Sequence, residues 1–489
     1  METTFFERLV EVLKFEPLEP LLFNSGFFLF FFLFVLLFHR AFLRNHRAKI
    51  IFLLVASLYF YFKSSGVYFV LIIVSSLIDY FAGKWIFVTE DKLKRKLLLV
   101  ISIITNLGLL GYFKYTNFFI QIVNDFSSSH LDMLDIFLPV GISFFTFQSM
   151  SYTIDIYREK IKPEEKFSDF LFFVSFFPQL VAGPIVRASD FLPQIHEESY
   201  ITKQDIGKAV VLIMAGLFKK AVIADYISIN FIDRIYEWPS RYTGVENLLA
   251  VYGYSLQIYC DFSGYSDMAI GLALLMGFKL PDNFNSPYKA STITEFWRRW
   301  HISLSSWLRD YLYIGLGGNR KGKLRTYFNL FATFLLCGLW HGAAWKFIIF
   351  GAIHGAVLSI EKFFKLPEKM NSNWFLRIVG IVITFHVFAF SLLFFRPQSF
   401  QNAYDMVHQI FTYFKGEVFI QFVNGYPMIA LLIVIGYMLH YIPQKWELAW
   451  QGFVTKLPLV GKAILLVIVI WLVAQFKSAD IQPFIYFQF

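Results

Sequence analysis

Residues 22–38 read Leu-Phe-Asn-Ser-Gly-Phe-Phe-Leu-Phe-Phe-Phe-Leu-Phe-Val-Leu-Leu-Phe, a run without one charged side chain. A bilayer core about 30 Å thick is crossed by about 20 such residues as helix, whereas a water-exposed surface has no use for them. Comparable apolar runs recur at 49–63, 67–88, 97–113, 134–157, 168–182, 208–225, 248–275, 326–340, 344–361, 374–395, 426–443 and 461–476. Several are short or polar enough to be re-entrant. The expectation is an all-α polytopic integral membrane protein with about eleven transmembrane helices plus re-entrant or interfacial ones.

Composition points the same way. Of 489 residues, 57% are hydrophobic and 16% charged, against about 45–50% and about 25% in soluble domains. One water-soluble core cannot absorb that apolar surface. A secreted disulfide scaffold, a disordered chain, a nucleic-acid-binding domain and a soluble dinucleotide-binding enzyme are thereby excluded, and a net charge of +9 does not restore nucleic-acid binding. Cys260 and Cys337 have no second Cys or His at metal-ligand spacing and read as buried thiols, so no metal is expected. Residues 1–19 carry Glu2, Glu7, Glu11, Glu16 and Glu19 against Arg8 and Lys14, and no small-residue cleavage site follows Phe38, which predicts a short amphipathic interfacial helix rather than a signal peptide.

Orientation follows from the basic loops. Arg40, Arg44, Arg47 and Lys49 lie between the first two runs, and Lys92, Lys94, Arg95 and Lys96 lie two spans later. Both groups belong on the cytoplasmic side. The loop 114–132 has a single Lys with Asp125 and Asp132, so the N-terminus is expected outside. No repeat or linker is visible, and one membrane domain over 1–489 is the simplest organisation.

The stretch 252–355 is too polar to face lipid yet sits among apolar runs, which marks a site. It contains Asp261-Phe-Ser-Gly-Tyr-Ser-Asp267, Phe296-Trp-Arg-Arg-Trp-His301 and Leu339-Trp-His-Gly342, and Phe177-Pro-Gln-Leu-Val-Ala-Gly183-Pro184 stands upstream. In this order and spacing the elements closely resemble the membrane-bound O-acyltransferase family, in the branch that acetylates alginate and other exopolysaccharides, over residues 140–360 at least. They also resemble, less closely, the D-alanyl transferases of teichoic-acid modification.

The resemblance implies helices around a central tunnel in a bacterial inner membrane, a cytoplasmic donor and an extracytoplasmic polysaccharide acceptor. It implies His341 as the catalytic histidine and His301 as a second one lining the tunnel. The donor would be a substrate thioester, acetyl-CoA or an acyl carrier protein, with no bound cofactor. A separate extracytoplasmic enzyme of the Ser-Gly-Asn-His hydrolase type is the implied partner. The aromatic tail within 477–489 resembles the ending of the small peptide that accompanies the D-alanyl transferases, which implies an acyl-relay role for Tyr486; its plain reading is an interface anchor.

The residues themselves support part of this. His341 sits among Gly338, Gly342, Ala343 and Ala344, where small neighbours leave room for a ligand. An imidazole there suits a base that takes a hydroxyl proton near neutral pH. His301 either orients the donor, shuttles a proton, stabilises charge or simply anchors Trp297 and Trp300. Asp261 and Asp267 read as buried hydrogen-bond anchors, with Arg298, Arg299 or Arg309 as partners in a network that includes Asp310; Trp340 and Trp297 line or support the tunnel. The turn holding Arg320, Lys321, Lys323 and Arg325 fits either donor phosphates or positive-inside anchoring. The rival class is a transporter or channel, which also needs a polar intramembrane region.

Overall fold

The computed structural model describes residues 11–16, 21–41, 45–127, 130–197, 200–476 and 484–485. All helices and strands assigned among them are helical. The chain divides into two compact units, Met1–Asp205 with Leu272–Pro281, and Ile206–Gly271 with Asp282–Phe489.

The first unit holds α1 (Gly26–Ala41), α2 (His46–Ser65), α3 (Phe69–Val88), α4 (Lys92–Leu110), α5 (Ile142–Tyr157), α6 (Phe167–Ser175) and α7 (Ala188–His196). Asn45 caps α2 and Asp91 caps α4 through side-chain oxygens, each accepting first-turn amides. The run His46–Val88 is 43 residues, about 65 Å of helix and twice what a bilayer core needs. Gly66 breaks it, with φ +57°. Inside the α3, α4 and α5 packing, Asp79 accepts from Ser102 Oγ at 2.6 Å and Asn106 Nδ2 at 2.8 Å. The described part of the N-terminal stretch docks on α2, where Lys63 Nζ donates to the Val12 carbonyl at 3.0 Å; the rest of the expected helix over 1–19 lies outside the described residues.

The second unit holds most of α8 (Lys203–Leu217) and of α9 (Gly244–Leu275), and α10 (Ile293–Arg299), α11 (Ile302–Trp307), α12 (Lys323–His341), α13 (Trp345–Phe364), α14 (Trp374–Ser391), α15 (Pro427–His440) and α16 (Leu459–Phe476). A π-helical stretch, Phe218–Asp225, follows α8.

Among the described residues, five helices are long and apolar enough to cross a membrane, namely His46–Val88, Lys92–Phe126, Trp345–Phe364, Trp374–Phe394 and Leu459–Phe476; Val418–Gly425 with α15, a pair bent by 97°, makes six. The expected count of about eleven is not reached by length and composition. The shortfall lies in helices that carry polar residues inward. In α5 all but Tyr157 are buried, including Ser143, Gln148, Ser149, Ser151 and Asp155, so protein rather than lipid surrounds it.

The α12–α13 hairpin is the closest helix pair in the second unit. A Cβ added at Gly338 would sit 2.2 Å from the Phe347 carbonyl oxygen, and one at Gly351 would sit 2.3 Å from that of Phe334. Only hydrogen fits, which lets the two backbones touch. Gly338→Ala is therefore expected to destabilise the fold by ~1–3 kcal/mol. Gly108→Ala, whose added methyl meets nothing within 4 Å, should not. Melting curves of the detergent-solubilised variants check this.

Candidate active site

The first turn of α10 is fixed from three sides. Thr292 Oγ1 accepts the Glu295 amide at 3.1 Å, and Glu295 reaches back to the Ser291 amide at 2.9 Å. From α13, the Glu361 carboxylate accepts the Ile293 and Thr294 amides at 2.5 and 2.8 Å and the Thr294 hydroxyl at 2.7 Å. A carboxylate is at home against first-turn N–H groups. Trp297, on the buried face of α10, donates its indole N–H to His354 Nδ1 at 3.3 Å. An indole only donates, so His354 Nδ1 accepts and its Nε2 carries the proton toward Ser391 Oγ, 3.1 Å away. His301 is thus not the anchor of Trp297; His354 is.

His301 stands between α10 and α11, fully buried and in the left-handed region at φ +44°, where a non-glycine residue is held only at a cost. Asn283 holds it there. Asn283 Oδ1 takes the Ser303 amide at 3.2 Å, the Ser303 hydroxyl at 2.8 Å and His301 Nδ1 at 3.1 Å, while its Nδ2 donates to Ser266 Oγ at 3.1 Å. The Ser303 N–H is an obligate donor and identifies that atom as oxygen. His301 Nδ1 is then a donor, and in the neutral ring Nε2 keeps its lone pair. Burial, and after it the nearby His341, hold the His301 pKa well below the usual 6.5, which favours that neutral ring. His301 lies outside the candidate spans.

His341 ends α12 and is 2% exposed. Trp340 links the two imidazoles, with ring centroids 5.9 Å from His301 and 5.2 Å from His341. Cys337, one turn back, brings its sulfur to 3.9 Å from His341 Nε2. Other histidines are committed to structure. His386 Nδ1 donates to the Val382 carbonyl at 2.7 Å and its Nε2 accepts from Tyr252, and His440 Nε2 accepts the Tyr288 amide at 3.0 Å.

Not every expected residue joins this cluster. Asp261 pairs with Lys220 at 2.5 Å and Asp267 with Lys219 at 2.7 Å, not with any arginine. Lys220 also reaches Asp225 at 2.8 Å. Arg298 is exposed, Arg299 pairs along its own helix with Glu295 at 2.9 Å, and Arg309 pairs with its neighbour Asp310 at 2.7 Å. The arginines of α10 point away because its buried face is already filled by Phe296 and Trp297. Arg320, Lys321, Lys323 and Arg325 are all exposed. Tyr486 lies outside the described residues. A group capable of holding a metal, Glu164, Asp169 and His196, lies in the other unit, with Arg47 paired to Asp169 at 2.6 Å and His196 Nε2 2.9 Å from Glu164 Oε1.

The cluster thus holds two buried imidazoles, one with a fixed tautomer, on either side of an indole. Residues 162–395, which include both histidines, match the membrane-bound O-acyltransferase family. The peptidoglycan O-acetyltransferase of Helicobacter pylori is 38% identical over 416 residues, covering 78% of either chain. The chain belongs to the membrane-bound O-acyltransferase family. It is accordingly an enzyme of acyl transfer in a membrane, which answers the transporter alternative. The probable alginate O-acetylase AlgI of Pseudomonas aeruginosa is 40% identical over 402 residues, covering 80% of this chain and 75% of its own. The teichoic acid D-alanyltransferase of Bacillus subtilis is 32% identical over 278 residues, covering 54% of this chain and 70% of its own.

Sequence reasoning missed Asn283, Glu361, Lys219 and Lys220 as members of this acyltransferase's interior. Lys219 and Lys220 had a signal, two adjacent ammonium groups inside the apolar run 208–225. Lys220→Met strands Asp225 and Asp261 and is expected to cost ~3–5 kcal/mol, read as a lowered melting temperature and yield. Arg298→Ala, at an exposed position, should stay within ~0.5 kcal/mol.

Proposed function

We propose that this enzyme takes an acyl group, in the first place acetyl, from a cytoplasmic thioester and passes it across a bacterial inner membrane toward an extracytoplasmic polysaccharide. The observation that carries the reading is the buried pair His301 and His341 bridged by Trp340. In the reaction, an acceptor hydroxyl gives its proton to His341 as its oxygen attacks the acyl carbonyl carbon. The C–O bond forms, the C–S bond breaks, and the thiol leaves with the proton returned. His301, with Nδ1 held by Asn283, offers Nε2 as a second proton acceptor or as a partner for the donor. The polysaccharide acceptor is supported by the relatives named for alginate and peptidoglycan acetylation.

Acetyl-CoA or an acyl carrier protein serves as donor, and the exposed turn with Arg320, Lys321, Lys323 and Arg325 receives its acidic phosphates or surface. An extracytoplasmic Ser-Gly-Asn-His-type enzyme completes the transfer. Tyr486 relays the acyl group at the outer side. Its phenol, with an ordinary pKa of about 10, needs a base to become a nucleophile.

His341→Ala should lower polymer acetylation in cells, and thiol release from acetyl-CoA by the purified protein, by ~100-fold or more at equal membrane abundance. Comparable activity at equal protein level removes His341 from the mechanism. Tyr486→Phe deletes only the hydroxyl and is expected to abolish polymer acetylation; full acetylation in that variant leaves the residue as an interface anchor.

A further inference from the structure

Beyond the last helix, α16, two described residues return to the interior of the second unit. Phe484 is 1% exposed and Ile485 5%. The Phe484 ring lies 5.4 Å from Phe262 and 5.0 Å from Tyr265. Phe262 in turn stands edge-on to His301, with centroids 4.6 Å apart. The Ile485 amide donates to Asp261 Oδ2 at 3.1 Å, while Asp261 Oδ1 takes Lys220. Ile485 also walls a cavity of about 450 Å³ together with Lys220, Asp225, Gln257, Asp261 and Arg396.

The charges explain why an amide is welcome there. One lysine serves two carboxylates, Asp225 and Asp261, and its contact with Asp261 is to Oδ1. A main-chain N–H meets Oδ2 without a further cation. Such a contact ignores the side chain of residue 485 and fixes only the path of the backbone. Without it, Oδ2 of a 3%-exposed carboxylate loses a donor.

We propose that Asp261 is a positioning residue that grips the 484–485 segment by the Ile485 amide and holds it against the α9 face that presents Phe262 to His301. Lys220, shared with Asp225, anchors the other oxygen, so the grip is set by the bundle and not by the segment. The segment's place sets the packing behind the His301 ring. The effect on rate rests on the acyl-transfer reading above; the grip itself does not.

Ile485→Pro removes the amide proton and keeps an apolar residue, and Ile485→Val, which retains it, is the reference. Hydrogen exchange with mass spectrometry on the detergent-solubilised full chain should show the peptide covering 484–485 exchanging about tenfold faster in Asp261→Ala than in the unaltered protein. With acetyl-CoA as donor, Ile485→Pro should lower kcat about tenfold relative to Ile485→Val, with KM for acetyl-CoA unmoved. Ile485→Pro added to Asp261→Ala should cost no further activity, because both remove one contact. Unaltered exchange in Asp261→Ala, equal kcat in the two Ile485 variants, or additive losses in the double variant would each overturn the proposal. If Asp261→Ala does not accumulate, the comparison of the two Ile485 variants decides alone. Failure of the acyl-transfer reading looks different: His341→Ala would stay active while the 484–485 peptide remained protected.

Discussion

A polar group buried in an apolar bundle must find its partner inside the protein, and in this molecule one carboxamide meets that demand for the whole reactive region. Asn283 gathers three donors on its oxygen and sends one of its own to Ser266. Remove it and the Ser303 amide, its hydroxyl and the His301 ring lose their acceptor together, each in a setting where water is not at hand. The left-handed backbone at His301 is sustained by the same contacts. The His301 ring is thereby aimed in one direction by an amide that cannot itself ionise.

The sequence shows some of this and hides the rest for identifiable reasons. The long apolar runs mark α1 to α4, α13, α14 and α16, because lipid-facing helices carry hydrophobic residues all round. Helices such as α5 defeat the same reasoning, since protein surrounds them and their serines, glutamine and aspartate face inward. Ordered motifs with two histidines single out His301 and His341, and both rings are buried and flank Trp340. Partners are another matter. Asp261 and Asp267 are visibly too costly to leave alone in hydrocarbon, yet the nearest arginines in sequence are not their counter-ions. The lysines that serve them come from a π-helical stretch some forty residues earlier. Glu361 and His354 sit in one apolar run, and nothing in their local pattern says that one caps α10 and the other takes the Trp297 indole.

Those pairings set some histidines apart. His354 and His440 spend ring nitrogens on the indole, hydroxyl and amide groups of neighbouring segments, and the half-buried His386 on the Tyr252 hydroxyl and a carbonyl of its own helix, which suits parts that stay put. His301 and His341 share an aromatic enclosure instead, with Trp340, Phe262, Phe350 and Phe395 around them. Such walls exclude water and favour uncharged imidazoles, the form that accepts a proton from a hydroxyl. The matching relatives transfer acetyl or D-alanyl groups, and a site of this kind is indifferent to that choice, because the proton leaves the acceptor in either case.

The Glu361 clamp on α10 has a mechanical meaning. His341 rides on α12, α12 is locked to α13 at the Gly338 and Gly351 contact, and α13 grips the start of α10 by its carboxylate. From there the chain runs directly through Trp300 to His301. The two imidazoles therefore belong to one rigid chassis, and thermal breathing of the surrounding helices carries them as a pair, leaving the spacing between them constant while the space around them changes.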